Sequence, residues 1–134
     1  MKYLVTGGAG FIGSHLIQRL FDEKHEVICV DNLNDYYDPT LKKARLERFK
    51  GRIKFYQIDI ADKDKLEIVF KENKFDKICH LAAQAGVRYS LENPFVYADS
   101  NYVGTLNVLE LAKRYGVSRY TIIDIARRKI WKHI

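Results

Sequence analysis

No apolar run in the 134-residue chain is longer than a few residues, which excludes a membrane-crossing helix of about 20 apolar residues. No apolar signal-peptide core precedes the first glycines of Met1-Lys2-Tyr3-Leu4-Val5-Thr6-Gly7, so a cytoplasmic protein is expected. Cysteine is scarce. Cys29 and Cys79, with His15, His25, His80 and His133, show no metal-ligand spacing, and both cysteines lie in strand-like apolar runs where buried, reduced thiols are expected. Internal repeats, low-complexity linkers and domain breaks are missing. Acid is absent from the last ten residues, where Arg127, Arg128, Lys129 and Lys132 carry +4 of a net +6. The first 124 residues hold 19 basic and 17 acidic residues. The basic balance is therefore mostly a terminal tail, read as solvated rather than as a nucleic-acid surface. At 47% apolar residues the chain is not disordered; a domain of this size buries roughly two-thirds of its unfolded surface.

What is present is an alternation of apolar strands and helical patterns. Tyr3-Leu4-Val5 reads as a strand, and Phe11 to Phe21 as a helix with Ile12, Leu16, Ile17 and Leu20 on one face. Val27 to Val30 is a second strand ending at Asp31. Asp38 caps a helix that starts at Pro39, carries Leu41, Ala44 and Leu46, and stops near Gly51. Ile53 to Ile58 is a third strand, and Asp62 caps a helix with Leu66, Val69 and Phe70. Lys77 to Leu81 is a fourth strand. Asn93-Pro94 opens one long helix through Val103, Leu106 and Leu109, closed by Gly116; Tyr120 to Ile123 is a fifth strand. Such an alternation predicts an α/β fold, a Rossmann-like doubly wound parallel sheet of order 3-2-1-4-5, incomplete on its C-terminal side. In that order one strand separates Cys29 from Cys79 by two strand spacings, about 9–10 Å, beyond the ~7 Å reach of a disulfide between Cα atoms.

Chemistry concentrates in Thr6-Gly7-Gly8-Ala9-Gly10-Phe11-Ile12-Gly13, immediately after the first strand and opening the first helix. Gly7 permits a tight turn, Gly10 lets backbone N–H groups approach a pyrophosphate, and Gly13 allows the helix to pack tightly against the sheet. The helix N-terminus adds unpaired donors and partial positive charge. A dinucleotide site is the reading, against a purely structural glycine turn. Asp31, 18 residues after Gly13, stands where an acid accepts from the adenosine ribose hydroxyls; its charge opposes a 2′-phosphate and favours NAD over NADP. The same residue could simply start the turn at Asn32.

These residues resemble the extended short-chain dehydrogenase/reductase superfamily of NAD-dependent epimerases and dehydratases, over roughly Met1 to Tyr120. The glycine motif has its T-G-x-x-G-x-x-G form. Asp59 and Asp62 resemble the acidic pair after strand three, with Asp59 and Ile60 near the adenine and Asp62 also explicable as a helix cap. Leu81-Ala82-Ala83-Gln84 resembles the cofactor-lining segment after strand four, or ordinary helix–sheet packing. Asn101, with Gly104-Thr105-Leu106-Asn107, resembles the central helix whose Asn organises the active-site backbone. Asp31-Asn32-Leu33-Asn34-Asp35-Tyr36-Tyr37-Asp38-Pro39 and Ala83-Gln84-Ala85-Gly86-Val87-Arg88-Tyr89-Ser90 look most like UDP-glucuronate 4-epimerases of polysaccharide biosynthesis. The resemblance implies NAD as cofactor and inversion at C4 of a UDP-sugar through a 4-keto intermediate. Arg88 and Tyr89 would then lie near the sugar nucleotide, or Arg88 is an exposed loop residue.

The superfamily's Tyr-x-x-x-Lys pair, in which Lys lowers the Tyr pKa for general-base work, is not in these residues: none of the nine tyrosines has Lys four positions later. Asp124-Ile125-Ala126-Arg127 stands where a hydroxyl-rich segment is expected. No catalytic residue is therefore assigned. The expectation is an NAD-binding domain over 1–124 followed by a basic tail over 125–134 unlike the family, the front of an epimerase-like protein, inactive alone. A frameshift or early stop would account for the change at the tail, tested by whether another frame downstream encodes the missing pair. The alternative is a free-standing dinucleotide-binding module working with a partner chain. Self-association through an uncovered sheet edge is a further expectation.

Overall fold

The computed structural model describes residues 1–117. Strand β1 (Lys2–Thr6) leads to helix α1 (Phe11–Asp22), β2 (Glu26–Asp31), α2 (Pro39–Glu47), β3 (Lys54–Gln57), α3 (Lys63–Glu72) and β4 (Lys77–His80). Three short pieces follow, α4 (Val87–Glu92), α5 (Pro94–Tyr97) and a π-helical segment (Ala98–Gly104), then α6 (Thr105–Arg114). The sheet is parallel, in the order β3-β2-β1-β4. The expected fifth strand and the basic tail lie outside the described residues.

Period-two alternation sorts the strand residues onto two faces. Leu4, Ile28 and Val30 join Ile60, Leu66, Val69, Phe70, Val108 and Leu111 beneath α3 and α6. Tyr3, Val5, Val27 and Cys29 join Ile17, Leu20 and Phe49 beneath α1. Helices on both faces keep the central strands dry on both sides, which is why they read as unbroken apolar runs. Val5 pairs with both Cys29 and Cys79 across β1, and both cysteines are free thiols, as the strand order requires. Cys29 is buried, but Cys79 is only half-buried, against expectation.

Local signals set the helix ends. Asp38 accepts from Thr40 N–H at 2.9 Å, with Pro39 in the first turn. Asp62 accepts from Lys65 N–H at 3.1 Å. Gly116 ends α6 at φ +69°, with Val117 N–H on Ala112 O and Gly116 N–H on Lys113 O, a Schellman closure. Lys24 performs the same closure after α1 at φ +61°, through His25 N–H on Leu20 O and Lys24 N–H on Phe21 O.

Three helix expectations are corrected. Helix α2 ends at Glu47 rather than near Gly51; Leu41 is exposed, and the buried residue of α2 is Lys42. Ile12 is 69% exposed rather than facing the core of α1. The single long helix from Asn93 is instead α5, the π-helical segment and α6, and the separate helix α4 precedes it. A π turn holds more residues than an α turn, so the apolar phase counted from Asn93 slips. Val103, Leu106 and Leu109 stay largely exposed, and Asn107, Val108 and Leu111 face inward instead.

Candidate functional site

All four strands end at one edge, and a cleft of about 500 Å³ opens there. It is walled by the β1–α1 turn, the end of β2, the segment after β3 and the segment after β4. Since β2 and β4 lie on opposite sides of β1, this is the point where the chain's winding reverses and a parallel sheet opens a crevice.

The β1–α1 turn is shaped by four glycines, each for a distinct reason. Gly7 has φ +69°, and a Cβ there would sit 2.7 Å from Ala82 N. A Cβ on Gly13 would strike Gly7 O and Gly8 Cα, so Gly13 fits the helix against the turn itself rather than against the sheet. A Cβ on Gly8 would strike Cys29 Sγ, a requirement that the sequence motif does not disclose. A Cβ on Gly10 would meet only Gly7 O, at 3.1 Å. Its other side opens on the cleft. Gly10 is also the N-cap of α1 and supplies no side chain to the first N–H groups. A helix start without a side-chain cap keeps its donors for something else.

Asp31 closes β2, 7% exposed, with Ala9 N–H on Oδ2 at 3.1 Å and Leu33 N–H on Oδ1 at 2.9 Å. Its carboxylate still borders the cleft. Leu33 takes φ +54° to make this turn. Asn32 donates to Asp59 Oδ2 at 3.0 Å and accepts from Asn34 N–H at 3.0 Å, and Ala61 N–H binds Asp59 Oδ1 at 2.9 Å. The segments after β2 and β3 are thereby locked together.

Of the residues expected to bind a cofactor, Gly7, Gly10, Phe11, Ile12, Gly13, Asp31, Asn32, Asp59, Ile60, Leu81, Ala82, Ala83 and Gln84 all border this one cleft. Phe11 and Ile12, 66% and 69% exposed, are apolar residues turned into it. Asn101 does not border it. Its side chain instead clasps a backbone amide from behind: Gln84 N–H donates to Oδ1 at 2.7 Å and Nδ2 donates to Gln84 O at 2.9 Å. The two residues expected near a sugar nucleotide, Arg88 and Tyr89, do not line this cleft. Arg88 is exposed and borders no described cleft. Tyr89 packs against Tyr36 and Tyr97 at a smaller adjoining cleft of about 240 Å³.

Sequence reasoning missed several residues. His80 bridges β1 to α6, with Nδ1 2.6 Å from Thr6 Oγ1 and Nε2 3.0 Å from Thr105 Oγ1. Thr6 Oγ1 already accepts from Leu81 N–H and Ala82 N–H, so its hydroxyl donates to Nδ1 and the ring proton sits on Nε2. Burial holds the His80 pKa below the ordinary histidine value. Asn107, 8% exposed, donates to Ile60 O at 2.9 Å and Ala61 O at 3.1 Å. Lys42 and Arg45 of α2 also border the cleft. A basic pair three residues apart on the helix after the Asp31 turn was the available signal. Burial pushes the Cys29 thiol up to about 12, with Asp31 adding to the rise, so this thiol is inert. Among the described residues no His, Cys, Asp or Glu group could hold a metal, and no helix is long and apolar enough to cross a membrane.

Comparison with known proteins agrees with this geometry. A family model described as GDP-mannose 4,6 dehydratase matches residues 4–126. UDP-glucuronate 4-epimerase of Thermodesulfobacterium geofontis is 52% identical over 122 residues, 90% of this chain and 38% of that protein. The crystal structure of UDP-glucuronic acid 4-epimerase from Bacillus cereus in complex with UDP-glucuronic acid and NAD is similar at TM-score 0.75 and 37% identity, over 84% of this chain and 36% of that one. UDP-glucose 4-epimerase of Thermus thermophilus in complex with NAD is similar at TM-score 0.76 and 38% identity, over 88% of this chain and 35% of that one. The chain thus spans between 35% and 38% of the length of these relatives. With its turn, strand order and cleft in agreement, the chain belongs to the GDP-mannose 4,6 dehydratase family.

Proposed function

We propose that this chain is the NAD-binding part of a UDP-sugar 4-epimerase of the UDP-glucuronate type, without epimerase activity of its own. The carrying observation is the uncapped start of α1 at Gly10, facing the same cleft as the Asp31 carboxylate. One end of that cleft presents free backbone donors for a pyrophosphate, the other an acceptor for ribose hydroxyls. The residues fit the cofactor by shape as well, since a Cβ on Gly7 would collide with the segment after β4, whereas Gly10 leaves its cleft side open. Gly10, Phe11, Ile12 and Gly13 would hold the pyrophosphate, Asp31 and Asn32 the ribose, Asp59 and Ile60 the adenine edge. Leu81 to Gln84 would line the remaining wall, with Asn101 fixing Gln84 from behind. Bound NAD supplies a hydride acceptor; this chain's residues bind it, orient it and shield one face.

Nothing in the 134 residues supplies the Tyr-x-x-x-Lys pair for proton transfer, which is the basis for proposing inactivity. UDP-sugar binding is proposed for the longer relatives' architecture. Arg88 and Tyr89 are proposed only as contacts completed by further chain, since here they stand apart. Calorimetry of the purified chain with NAD tests the reading. Saturable one-to-one binding is expected, together with no turnover of UDP-glucuronate. Absence of binding heat refutes the cofactor reading, and measurable epimerisation by the chain alone refutes the inactivity.

A further inference from the structure

Lys42 and Arg45 stand beside Asp31 in the ribose corner of the cleft. Lys42 is 6% exposed, with Nζ donating to Asn34 O at 3.1 Å and to Asn34 Oδ1 at 2.5 Å. Two of its three protons are used, leaving one donor. Arg45 Nη1 donates to Ala9 O at 3.3 Å and Tyr37 O–H at 2.9 Å. Both cations lie over the Tyr37 ring, at 4.9 Å for Lys42 and 5.7 Å for Arg45. Ala9 links the corner: its N–H binds the Asp31 carboxylate and its carbonyl binds the Arg45 guanidinium. Among the described residues neither cation is in a salt bridge. Asp31 has both oxygens engaged by backbone N–H groups, so the two cations share the cleft lining with a carboxylate that is already partly neutralised. Asp35 also acts on Lys42 from outside the cleft lining.

We propose that Lys42 and Arg45 form a phosphomonoester-binding corner beside the ribose site, masked by Asp31, so that the cleft has a built capacity for 2′-phosphorylated adenine nucleotides. This inference rests on the reading of the cleft as a dinucleotide site. Asp31 sets the preference for an unphosphorylated ribose, and the two cations set how small that preference is. A planar guanidinium fits a phosphate in two-point fashion, and the carboxylate beside it is the opposing charge.

The test is calorimetry on the full chain with NAD, 5′-AMP and adenosine 2′,5′-bisphosphate. In the wild type, NAD and 5′-AMP bind, and the bisphosphate binds no more than about tenfold more weakly than 5′-AMP. Asp31→Asn is expected to tighten the bisphosphate at least tenfold relative to 5′-AMP. Adding Arg45→Ala to that variant should cancel the gain, and adding Arg45→Lys should keep part of it. Should Asp31→Asn fail to fold, Arg45→Ala alone decides, with an expected loss of threefold or more for the bisphosphate relative to 5′-AMP. Equal weakening of both ligands by Arg45→Ala overturns the proposal, because Arg45 would then serve the 5′-phosphate. A folded Asp31→Asn chain with no gain for the bisphosphate also overturns it. Failure of the wild type to bind NAD and 5′-AMP is a different result, which removes the dinucleotide reading and this inference with it.

Discussion

Replacing Asn101 by Leu would leave the cleft lining intact yet weaken it. The substitution keeps the branched side-chain shape, adds some volume at an exposed position and removes the two hydrogen bonds to Gln84, at 2.7 and 2.9 Å. A net bond of this kind contributes roughly 0.5–1.5 kcal/mol, so the pair contributes about 1–3 kcal/mol. Asn101 is exposed while Gln84 is 6% exposed; water can reach part of the lost clasp, which places the cost near the lower end. Much of the cost should fall on the segment after β4, because Gln84 also accepts from Asn34 Nδ2 at 3.4 Å. A loop that must be ordered on binding draws that free energy from ligand affinity, so the dissociation constant for NAD should rise about tenfold, equivalent to ~1.4 kcal/mol. Isothermal calorimetry reads the affinity, and urea melts without ligand read the stability. Asn101→Asp is the companion variant: it keeps the acceptor for Gln84 N–H and loses the donor to Gln84 O, so it should fall between the other two. Equal NAD affinity in all three proteins would refute the role of the clasp.

The remaining predictions concern the frame around the cleft. His80 is held neutral by burial, so the unfolded chain takes up its proton first as pH falls through about 6.5. Stability is fully present above that pH and declines below it until the lowered folded pKa is reached. One proton gives a limiting slope of about 1.4 kcal/mol per pH unit; urea midpoints between pH 7.5 and 5.5 should show this component in the wild type and lose it in His80→Gln. Lys24→Gly should stabilise by about 0.5–1 kcal/mol, since Lys24 sits at φ +61° in a Schellman closure that glycine adopts without a Cβ penalty; an unchanged or lower melting temperature would count against it. With its pKa near 12, Cys29 is about one part in ten thousand thiolate at pH 8. Alkylation of the native chain should therefore spare it until urea is added, and labelling at equal rates in both states would contradict the burial argument.

The parts of the molecule that were legible in advance are those where backbone geometry demands a residue type. Gly7 needs positive φ, Asp38 and Asp62 cap helices, and the double-faced strands demand uninterrupted apolar runs. Those demands act over a few neighbouring residues, so a local pattern carries them. His80 and Asn107 were not legible, because each is polar, half-buried or buried, and satisfied by partners distant in sequence. Thr6 lies 74 positions from His80, and Ile60 lies 47 from Asn107. A polar residue in an apolar run signals only that some partner exists.

The π-helical segment shows how a misread period hides a functional arrangement. Read as one α-helix from Asn93, the stretch runs through Val103, Leu106 and Leu109 and says nothing of Asn107 turning inward. The observed helix turns Asn107 inward, to Ile60 O and Ala61 O, while Asn101 holds Gln84. One run of chain thereby secures both the segment after β3 and the segment after β4, two walls of the same cleft. Gly104 at the junction permits the approach, since a Cβ there would lie 2.6 Å from Ile60 Cδ1. A π turn is costly in regular structure and tends to occur at functional sites. Here the compensation is visible: the phase shift that exposes Leu106 is what lets Asn101 of the π-helical segment and Asn107 of α6 brace two loops. Gly104→Ala should consequently disturb the Ile60 wall before it disturbs the sheet, with NAD affinity falling more steeply than the urea midpoint. The opposite order would mean that the segment is packing alone.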